Sequence, residues 1–537
     1  MNKELKKQYR ADLFRHLDGI VTAPIAYALY KKGVLSYLIE EKKTTLEALN
    51  KAFNGNEGYL NVALHTLASQ GWLDYKIEDE NTIILSVNEK SSIAFSLSHL
   101  YEDVVKLMKL SGKYHSRKFE LEPFLLLEKI FQNYKNNYAL VDSDNTLRNE
   151  VQNQILKHIE GYIVGPTVVA LGMTGMFHIY FMEASFRPEE FHKDKDAFSR
   201  LLDIFSDLGW FEKKNDTYKF SEKGIFFAKR ASAYGVTVSY IPTFREAEEL
   251  LFGNPRILWD EEEGAREIHV DRKMNVWGSG GAHSAYFKIV DEIIIEIFNQ
   301  PIEKQPKGIV DLGCGNGAFL IHLYEIIAQR TLRGKLLEEH PLFLVGADYN
   351  QDALEVSREN IIQAGIWAKL IWGDIGRPDL LDKSLHDTYG IDLKDLLNVR
   401  TFLDHNRIWS EPINSSSNIK VQSQGAFAFR GKRITNIQVE NNLKEHLNKW
   451  SPYVEKFGLL VIELHTISPE LIAQNLGRTA ATAYNSTHGF SDQYIVEIDV
   501  FNKIAKEVGL MPVKEHFTKF PNSEIATVSI NLLKKEV

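Results

Sequence analysis

The chain has 537 residues, of which 44% are hydrophobic and 25% charged, a composition typical of a globular protein with two or three domains. Its formal net charge of −9 argues against a protein that wraps nucleic acid or an anionic membrane. The one cysteine, Cys314, excludes an intrachain disulfide and any multi-cysteine metal site. Residues 1–15 lack the apolar run of a secretory signal, so we expect a cytoplasmic location.

Two stretches in the first half of the chain resemble each other. Pro24 matches Pro166 and Gly33 matches Gly175 at the same separation, and each copy later reaches a Gly-Trp pair. Each copy predicts a helix opened by proline, then an amphipathic helix that ends at Gly-Trp, then a short β-ribbon. Helix, helix and ribbon in this order form a winged-helix pattern.

A winged helix can bind DNA, or it can serve as a dimerisation or substrate-covering module. The helix before Gly-Trp is not rich in Lys or Arg in either copy, so we expect no nucleic-acid partner. We predict that the two copies pack as an internal pseudo-dimer and that the chain is a monomer. The expected domains are a first repeat in 1–100, a helical insertion with the second repeat in 101–255, and an α/β core with a lid in 256–537.

One uncharged segment, 161–182, is long enough to span a bilayer. It contains four glycines and a proline, and it coincides with the start of the second repeat. We therefore predict a buried helix within a globular region, and no membrane partner.

From Gly308 the sequence alternates apolar strands with amphipathic helices, as α/β proteins do. The first strand carries Asp311 near its end and is followed by a loop that contains Gly313, Gly315 and Gly317. These glycines allow a sharp turn at the edge of the sheet and the close approach of a ligand.

Two further strands end in acidic residues. Asp348 can accept both ribose hydroxyls of an adenosine, while Asp374 can accept the adenine amino group and Ile375 can pack on the ring. A dinucleotide dehydrogenase also has a glycine-rich loop, but its glycines are spaced G-x-G-x-x-G. The acid before the glycines, the G-x-G-x-G spacing and the third strand ending in Gly-Asp together resemble the motifs of class I methyltransferases. That resemblance implies a Rossmann-like core and S-adenosylmethionine as the cofactor.

The chain resembles narrower groups within that class. The segment 395–407 resembles the place where small-molecule O-methyltransferases carry their catalytic histidine, and His405 is the matching position. Other runs resemble the metal-dependent C-methyltransferase domains that build starter units in polyketide loading modules, as in the apratoxin and saxitoxin pathways. These runs are 19–35, 400–407, 463–466 and 486–494.

The second resemblance implies methylation of the α-carbon of a malonyl or methylmalonyl group on an acyl carrier protein, through an enolate stabilised by Fe(II) or Mn(II). It implies the carrier protein as a partner and leaves open an adjoining acyltransferase-like domain of a larger synthase. We expect His405 to act as the base, with Arg407 as a second catalytic residue.

Three alternatives remain open. The first is a metal-free O-methyltransferase for small molecules, and the second is a metal-dependent C-methyltransferase for α-keto acids. A non-enzymatic winged-helix regulator is disfavoured by the intact set of acidic residues in the cofactor motifs.

Three neutral side chains are candidate metal ligands: His465, His488 and Gln493. His465 follows a predicted core strand at the edge where α/β sheets bind ligands, and the other two lie in a glycine-containing turn. Two imidazoles and an amide oxygen would form a partial shell around a divalent ion. Each residue also has a structural explanation, as a hydrogen-bonded histidine or a helix cap. The segment Trp277–Ser284 is predicted to be a flexible lid or a linker.

Overall fold

The computed structural model describes residues 1–111, 114–115, 118–119, 121–259, 267–413 and 423–535. The chain forms two compact units. Unit 1 consists of Met1–Ala282, Ala426–Arg433 and Ser468–Ser491, and unit 2 consists of His283–Gly425, Ile434–Ile467 and Asp492–Val537.

Helices dominate unit 1, whereas unit 2 alternates strands and helices. The helices are α1 (Lys3–Lys32), α2 (Val34–Glu41), α3 (Leu46–Phe53), α4 (Glu57–Ser69), α5 (Ser91–Leu97), α6 (Glu102–Lys109), α7 (Leu121–Lys135), α8 (Thr146–Met173), α9 (Ile179–Glu183), α10 (Pro188–Phe191), α11 (Lys195–Asp207), α12 (Glu222–Ala228), α13 (Ser232–Ser239), α14 (Ile241–Phe244), α15 (Ala247–Phe252), α16 (Arg272–Phe298), α17 (Ala318–Arg330), α18 (Leu332–Lys335), α19 (Gln351–Gln363), α20 (Pro378–Tyr389), α21 (Asn436–Val454), α22 (Pro469–Ala473), α23 (Ala481–Gly489) and α24 (Ile498–Glu507). The strands are β1 (Lys43–Thr45), β2 (Asp74–Ile77), β3 (Ile83–Ser86), β4 (Tyr114–His115), β5 (Lys118–Phe119), β6 (Phe211–Lys214), β7 (Thr217–Phe220), β8 (Gly308–Leu312), β9 (Phe343–Asp348), β10 (Lys369–Trp372), β11 (Leu396–Thr401), β12 (Phe427–Phe429), β13 (Lys432–Ile434), β14 (Leu459–Leu464), β15 (Leu510–Pro512), β16 (Thr518–Phe520) and β17 (Val528–Lys535).

The two helices expected to begin at a proline are much longer than predicted. Pro24 lies inside the 30 residues of α1, and Pro166 lies inside the 28 residues of α8. Asn2 caps the start of α1, and the helix ends at Gly33, which has a left-handed φ of 87°. The prediction that proline opens these helices is wrong, because burial of the long helix offsets the main-chain hydrogen bond that proline removes.

Helices α1 and α8 pack against each other through reciprocal glycine contacts. A Cβ atom on Gly19 would collide with the main chain of His158, and a Cβ atom on Gly161 would collide with the main chain of His16. Gly19 and Gly161 occupy equivalent positions in the two repeats, and so do His16 and His158. The helices therefore approach so closely that only glycine fits at either crossing point.

The two histidines at this crossing have the same kind of partner. His16 Nδ1 lies 2.8 Å from the Tyr234 hydroxyl, and His158 Nδ1 lies 2.8 Å from the Tyr101 hydroxyl. All four side chains are buried. The two repeats thus pack on each other through equivalent helices, in an approximately two-fold arrangement; the predicted monomeric state remains a prediction.

Each repeat also contains the expected ribbon. In the first, β3 pairs antiparallel with β1 and β2, and in the second, β6 pairs antiparallel with β7. Trp72 and Trp210, from the two Gly-Trp pairs, are buried beside these ribbons. The prediction of two winged-helix-like repeats in a mostly helical region is confirmed.

The uncharged segment 161–182 belongs mainly to α8, most of whose residues there are buried in unit 1. Among the described residues, no helix combines the length and the apolar composition needed to cross a membrane.

The central sheet of unit 2 has the strand order β10-β9-β8-β11-β14-β17-β15, and β16 pairs with β17. Strands β10, β9, β8, β11 and β14 are parallel neighbours, and β17 is antiparallel to β14. Strands β8 and β14 are buried along their whole length, as expected for parallel strands covered on both faces. The predicted α/β class with a Rossmann-like core is confirmed.

Our first prediction concerns Asp18 in α1, a buried carboxyl group whose Oδ1 makes no hydrogen bond among the described residues. Burial raises the pKa of Asp18 from 3.8 to about 8, against the smaller opposing effects of Gln70 and Arg15. The folded chain therefore holds this proton more tightly than the unfolded chain, and the stability contributed by the neutral group is lost as pH rises from about 4 to about 8.

Chemical denaturation of Asp18→Asn should show little change in the free energy of unfolding near pH 4. At pH 8.5 the variant should be more stable than the parent, by at most roughly 5 kcal/mol. The exposed Asp144→Asn serves as the matched control. An equal effect of Asp18→Asn at both pH values would contradict the prediction.

Candidate active site

The glycine-rich loop after β8 adopts left-handed backbone conformations at its three glycines. Gly313, Gly315 and Gly317 have φ values of 71°, 55° and 77°, which residues with a side chain rarely adopt. A Cβ atom on Gly315 would meet only the Gly313 carbonyl oxygen, at 4.0 Å. Gly317 precedes the first turn of α17. The loop therefore leaves room for a polar ligand beside main-chain N–H groups at the edge of the sheet.

Asp348, the last residue of β9, is fixed against this loop. Its Oδ2 accepts a hydrogen bond of 2.9 Å from the Gly315 N–H, and its Oδ1 accepts one of 2.9 Å from the Asn350 N–H. Each carboxylate oxygen can accept more than one hydrogen bond, so the group keeps the capacity to bind two ribose hydroxyls. The predicted ribose-binding role fits this geometry.

Asp311 lies deeper in the same place. Its side chain is 1% exposed, and Oδ2 makes no hydrogen bond among the described residues. Burial, followed by repulsion from Asp348, raises the pKa of Asp311 well above its ordinary value. A buried acceptor without a partner indicates that the site is completed by a group from outside the chain.

The third predicted contact region follows β10. Asp374 Oδ1 accepts a hydrogen bond of 2.7 Å from the Gly376 N–H, which turns the chain immediately after the strand. The Ile375 carbonyl oxygen accepts one of 2.8 Å from Trp450 Nε1 on α21. These bonds fix the main chain of the segment predicted to contact adenine.

Two aromatic residues in this region were not identified from the sequence. Tyr349 follows Asp348, and Trp372 ends β10; their ring centroids lie 5.5 Å apart, and Trp372 Nε1 donates a 3.0 Å hydrogen bond to the Tyr349 carbonyl oxygen. The side chains are 57% and 45% exposed. The signal available in the sequence was an aromatic residue next to each of two strand ends. Exposed aromatic rings beside a ribose-binding carboxylate suit an adenine base, so the residues at this edge fit S-adenosylmethionine.

On the other side of β8, His405 forms a buried pair with Glu463. His405 follows β11, Glu463 lies in β14, and His405 Nδ1 is 2.5 Å from Glu463 Oε1. The two side chains are 6% and 2% exposed. A carboxylate on Nδ1 fixes the imidazole ring and its tautomer, so that Nε2 is the nitrogen able to take a proton, as in hydrolytic triads. The sequence analysis placed Glu463 in a strand and in a family-like run but gave it no role, although a carboxylate inside a run of apolar residues is a usable signal.

Arg407, predicted as a second catalytic residue, is bound by the protein itself. Its Nε donates to Asn442 Oδ1 at 2.6 Å, its Nη1 to the Asp404 carbonyl oxygen at 2.8 Å and its Nη2 to the Val439 carbonyl oxygen at 3.3 Å. Burial lowers the pKa of Arg407 to about 10. The arrangement favours a structural role, in which Arg407 ties the His405 loop to α21.

His465 does not fit the role of a metal ligand. Its Nε2 is 2.8 Å from Ser529 Oγ and its Nδ1 is 3.1 Å from the Val496 carbonyl oxygen, so both nitrogens are used within unit 2. The ring is 1% exposed, and burial lowers the pKa of His465 to about 4. A metal would have to displace one of these hydrogen bonds.

His488 has an orientation that is compatible with a ligand. It lies in the last turn of α23 in unit 1, and its Nδ1 donates to the Tyr484 carbonyl oxygen at 2.7 Å. Metal-binding histidines commonly donate one N–H in this way while the other nitrogen holds the metal. Gln493 is buried in unit 2. No three His, Cys, Asp or Glu side chains within the described ranges are grouped so as to hold a metal ion, and joint binding by His488 and Gln493 remains a prediction.

The segment predicted as a lid is part of a helix. Residues 277–284 lie within the 27 residues of α16. A Cβ atom on Gly278 would lie 2.7 Å from the Gly235 Cα, so the helix packs closely against α13 at this point. Gly278 therefore serves helix packing, and the segment is helical where a flexible lid was expected; the side chains of His283 and Ser284 lie outside the described residues.

Comparison with protein families gives three matches in chain order. The AprA N-terminal domain matches residues 9–75, the AprA winged helix domain matches 160–254, and the AprA MT2-like domain matches 267–531. No curated protein matches the chain.

Several solved structures are similar to parts of this one. The mitomycin 7-O-methyltransferase MmcR is 11% identical, with 72% of this chain and 99% of that chain covered and a TM-score of 0.42. CalO1, a methyltransferase in calicheamicin biosynthesis in its SAH-bound form, is 13% identical, with coverage of 73% and 99% and a TM-score of 0.36. The CurJ carbon methyltransferase is 12% identical, with coverage of 77% and 99% and a TM-score of 0.31. Similarities at this level do not identify a reaction.

Our second prediction concerns Asp348. Replacement by Asn removes the negative charge that would receive the ribose hydroxyls, and hydrogen bonds to a charged group are worth roughly 1.5–3 kcal/mol. Isothermal titration with S-adenosylhomocysteine should therefore show binding weakened by roughly 10- to 100-fold in Asp348→Asn. Asp352→Asn, an exposed change in α19, is the matched control. Unchanged affinity in Asp348→Asn would remove Asp348 from the site.

Proposed function

The chain belongs to the AprA-like family of S-adenosylmethionine-dependent methyltransferases, and on this premise we propose that it methylates the α-carbon of a malonyl or methylmalonyl group on an acyl carrier protein. His405 is the proposed general base. The reaction would belong to the assembly of a polyketide starter unit, the context that the sequence resemblance implies.

The proposed base rests on the buried hydrogen bond between His405 and Glu463, whereas the proposed substrate rests on the family resemblance. The carbon between the two carbonyl groups of a malonyl thioester is acidic, but it needs a base before it can attack a methyl group. An imidazole is the side chain that most often acts as a general base, and its contribution to rate is typically about 10²–10⁴-fold. Glu463 prepares the imidazole for the transfer by holding its tautomer and stabilising the positive charge that it acquires.

The residues proposed to bind the cofactor and the proposed base follow neighbouring strands at one edge of the sheet. When bound, S-adenosylmethionine supplies an electrophilic methyl group. Asp348 and the loop around Gly315 would hold its sugar and the adjoining chain, and Asp374 would hold its base. His405, 6% exposed, would hold the proton that it removes in surroundings that exclude bulk water.

Metal dependence is a separate part of the proposal. The family resemblance implies Fe(II) or Mn(II), and the ligands predicted from the sequence are His465, His488 and Gln493. His465 does not support the site, because both of its ring nitrogens are already hydrogen-bonded. For this reason no step of the proposed proton transfer depends on a metal.

The same observation on His465 favours a second candidate function, metal-free O-methylation of a small molecule. In that reaction His405 would deprotonate a hydroxyl group directly. The His405–Glu463 pair serves either reaction, so the substrate must be identified by experiment.

Our third prediction is tested by intact-mass analysis of a malonyl-loaded acyl carrier protein after incubation with the chain and S-adenosylmethionine. The parent should add a methyl group to the malonyl unit, and His405→Ala should be slower by roughly 10²–10⁴-fold. Glu463→Gln should also be slow, because the amide cannot stabilise a charged imidazole. His386→Ala, which changes an exposed histidine, is the control.

Each reaction is run with chelator, with Fe(II) and with Mn(II). Loss of activity in chelator that is restored by one ion supports the metal site, whereas full activity in chelator excludes metal dependence. Methylation of phenolic test substrates together with no methylation of the carrier under all three conditions would replace the C-methyl proposal with the O-methyl candidate.

A further inference from the structure

A group of buried polar side chains centred on Asp404 adjoins the His405–Glu463 pair and contacts Glu463 through the Asp404 N–H. The Asp404 carboxylate oxygen Oδ1 accepts a hydrogen bond of 2.6 Å from Arg400 Nη1. The same oxygen lies 2.9 Å from His446 Nε2 on α21. The side chains of Arg400, Asp404 and His446 are 0%, 1% and 5% exposed. All of them lie within unit 2.

The main chain of Asp404 is bound as closely as its side chain. Its N–H donates a 2.8 Å hydrogen bond to Glu463 Oε2, and its carbonyl oxygen accepts the 2.8 Å hydrogen bond from Arg407 Nη1. Asp404 is therefore held by His446 on α21, by Arg400 on β11 and by Arg407 of its own loop. Its N–H in turn donates to the Glu463 carboxylate, which orients His405.

The two oxygens of Glu463 have different tasks. Oε1 binds His405 Nδ1 at 2.5 Å and also accepts from the Leu464 N–H at 2.7 Å, while Oε2 accepts from the Asp404 N–H. The Asp404 N–H therefore sets the rotation of the carboxylate about its Cγ–Cδ bond. If that N–H moved, the carboxylate would lose one of the two main-chain hydrogen bonds that direct Oε1 toward His405.

The loop begins with a residue in a strained backbone conformation, so it requires contacts that hold it in place. Phe402 has a φ of 54°, a conformation that costs free energy for a residue with a side chain. The Phe402 N–H donates to the Ile462 carbonyl oxygen at 2.7 Å, and the His405 carbonyl oxygen accepts from the Tyr494 N–H at 2.8 Å. These main-chain bonds fix the ends of the turn, and Asp404 fixes its middle.

The charge states of the group follow from its surroundings. Burial raises the pKa of Asp404, but Arg400 and the hydrogen bond from His446 outweigh burial, so that this pKa lies below its ordinary value. Burial lowers the pKa of His446 to about 4, against the opposing effect of Asp404. At neutral pH, Asp404 is therefore an anion paired with Arg400, and neutral His446 donates its Nε2–H to it.

We infer that Asp404, held by Arg400 and His446, is the positioning residue that aligns Glu463 and, through it, the imidazole of His405. Asp404 does not touch the reacting atoms itself. The inference rests on the proposed role of His405 as the base, and it adds a specific function for His446 on α21, which acts through Asp404 and Glu463.

Our fourth prediction uses a matched pair of variants, because Asp404→Asn leaves the buried Arg400 without its anion and could fail to fold. His446→Gln keeps a side-chain N–H that can reach Asp404, whereas His446→Leu has similar bulk and no donor. We expect His446→Leu to lower kcat by roughly 10- to 100-fold with KM unchanged, since a small displacement of a catalytic group has effects of this size. His446→Gln should recover most of the loss.

A spectroscopic measurement separates positioning from a loss of stability. In protein with ¹⁵N-labelled histidine, the His405 signals, assigned by their absence in His405→Gln, should report protonated Nδ1 in the parent and in His446→Gln. In His446→Leu they should show a mixture of tautomers while S-adenosylhomocysteine still binds. Parent-like tautomer signals in folded His446→Leu would overturn the inference, as would parent-like kcat.

The outcomes also distinguish the two proposals. If His405→Ala keeps full activity, the proposed function fails, and the tautomer measurement still tests the alignment of His405. If His405→Ala is inactive and His446→Leu behaves as the parent, the proposed function stands and the positioning role of Asp404 is contradicted.

Discussion

The cofactor site depends on the hydrogen bond between the Gly315 N–H and the Asp348 carboxylate. This bond joins the ends of two neighbouring parallel strands, β8 and β9. It works together with the hydrogen bond from the Gly313 N–H to the Ala347 carbonyl oxygen, at 2.8 Å. The glycine loop is thereby held open against β9, and the carboxylate predicted to bind ribose is fixed before any ligand arrives. Preorganisation of this kind reduces the free energy lost when a ligand is ordered.

The proposed base belongs to the same edge of the sheet. In the parallel part of the sheet β9, β8, β11 and β14 are consecutive neighbours, so the residues at their carboxyl ends meet in one region. Asp348 ends β9 and the glycine loop follows β8, whereas His405 follows β11 and Glu463 lies near the end of β14. Strand order therefore brings the predicted cofactor residues and the proposed base to one edge, and we propose that the buried group around Asp404 sets the finer orientation of the imidazole.

The sequence predicted what depends on local pattern. The Rossmann-like core and the winged-helix-like repeats were recognisable because their signals lie within a few consecutive residues. These signals are the glycine spacing, the acidic residues at strand ends and the Gly-Trp pairs. The His405–Glu463 pair was not recognisable, because 58 residues separate its members and only the pairing of β11 with β14 brings them together. The expected lid is a helix for a different reason: Gly278 serves close helix packing, which composition does not distinguish from flexibility. The sequence also could not show that Arg407 donates three hydrogen bonds within the protein, which favour a structural role over a catalytic one.

The central proposal is that an adenosine is bound by Asp348 beside an imidazole held by Glu463. A crystal structure of the chain with S-adenosylhomocysteine tests this most directly. The account predicts the ribose hydroxyls within hydrogen-bonding distance of the Asp348 carboxylate, and the sulfur atom on the side of the sheet edge that carries His405. A ligand bound without contact to Asp348, or with its sulfur directed away from His405, would contradict it.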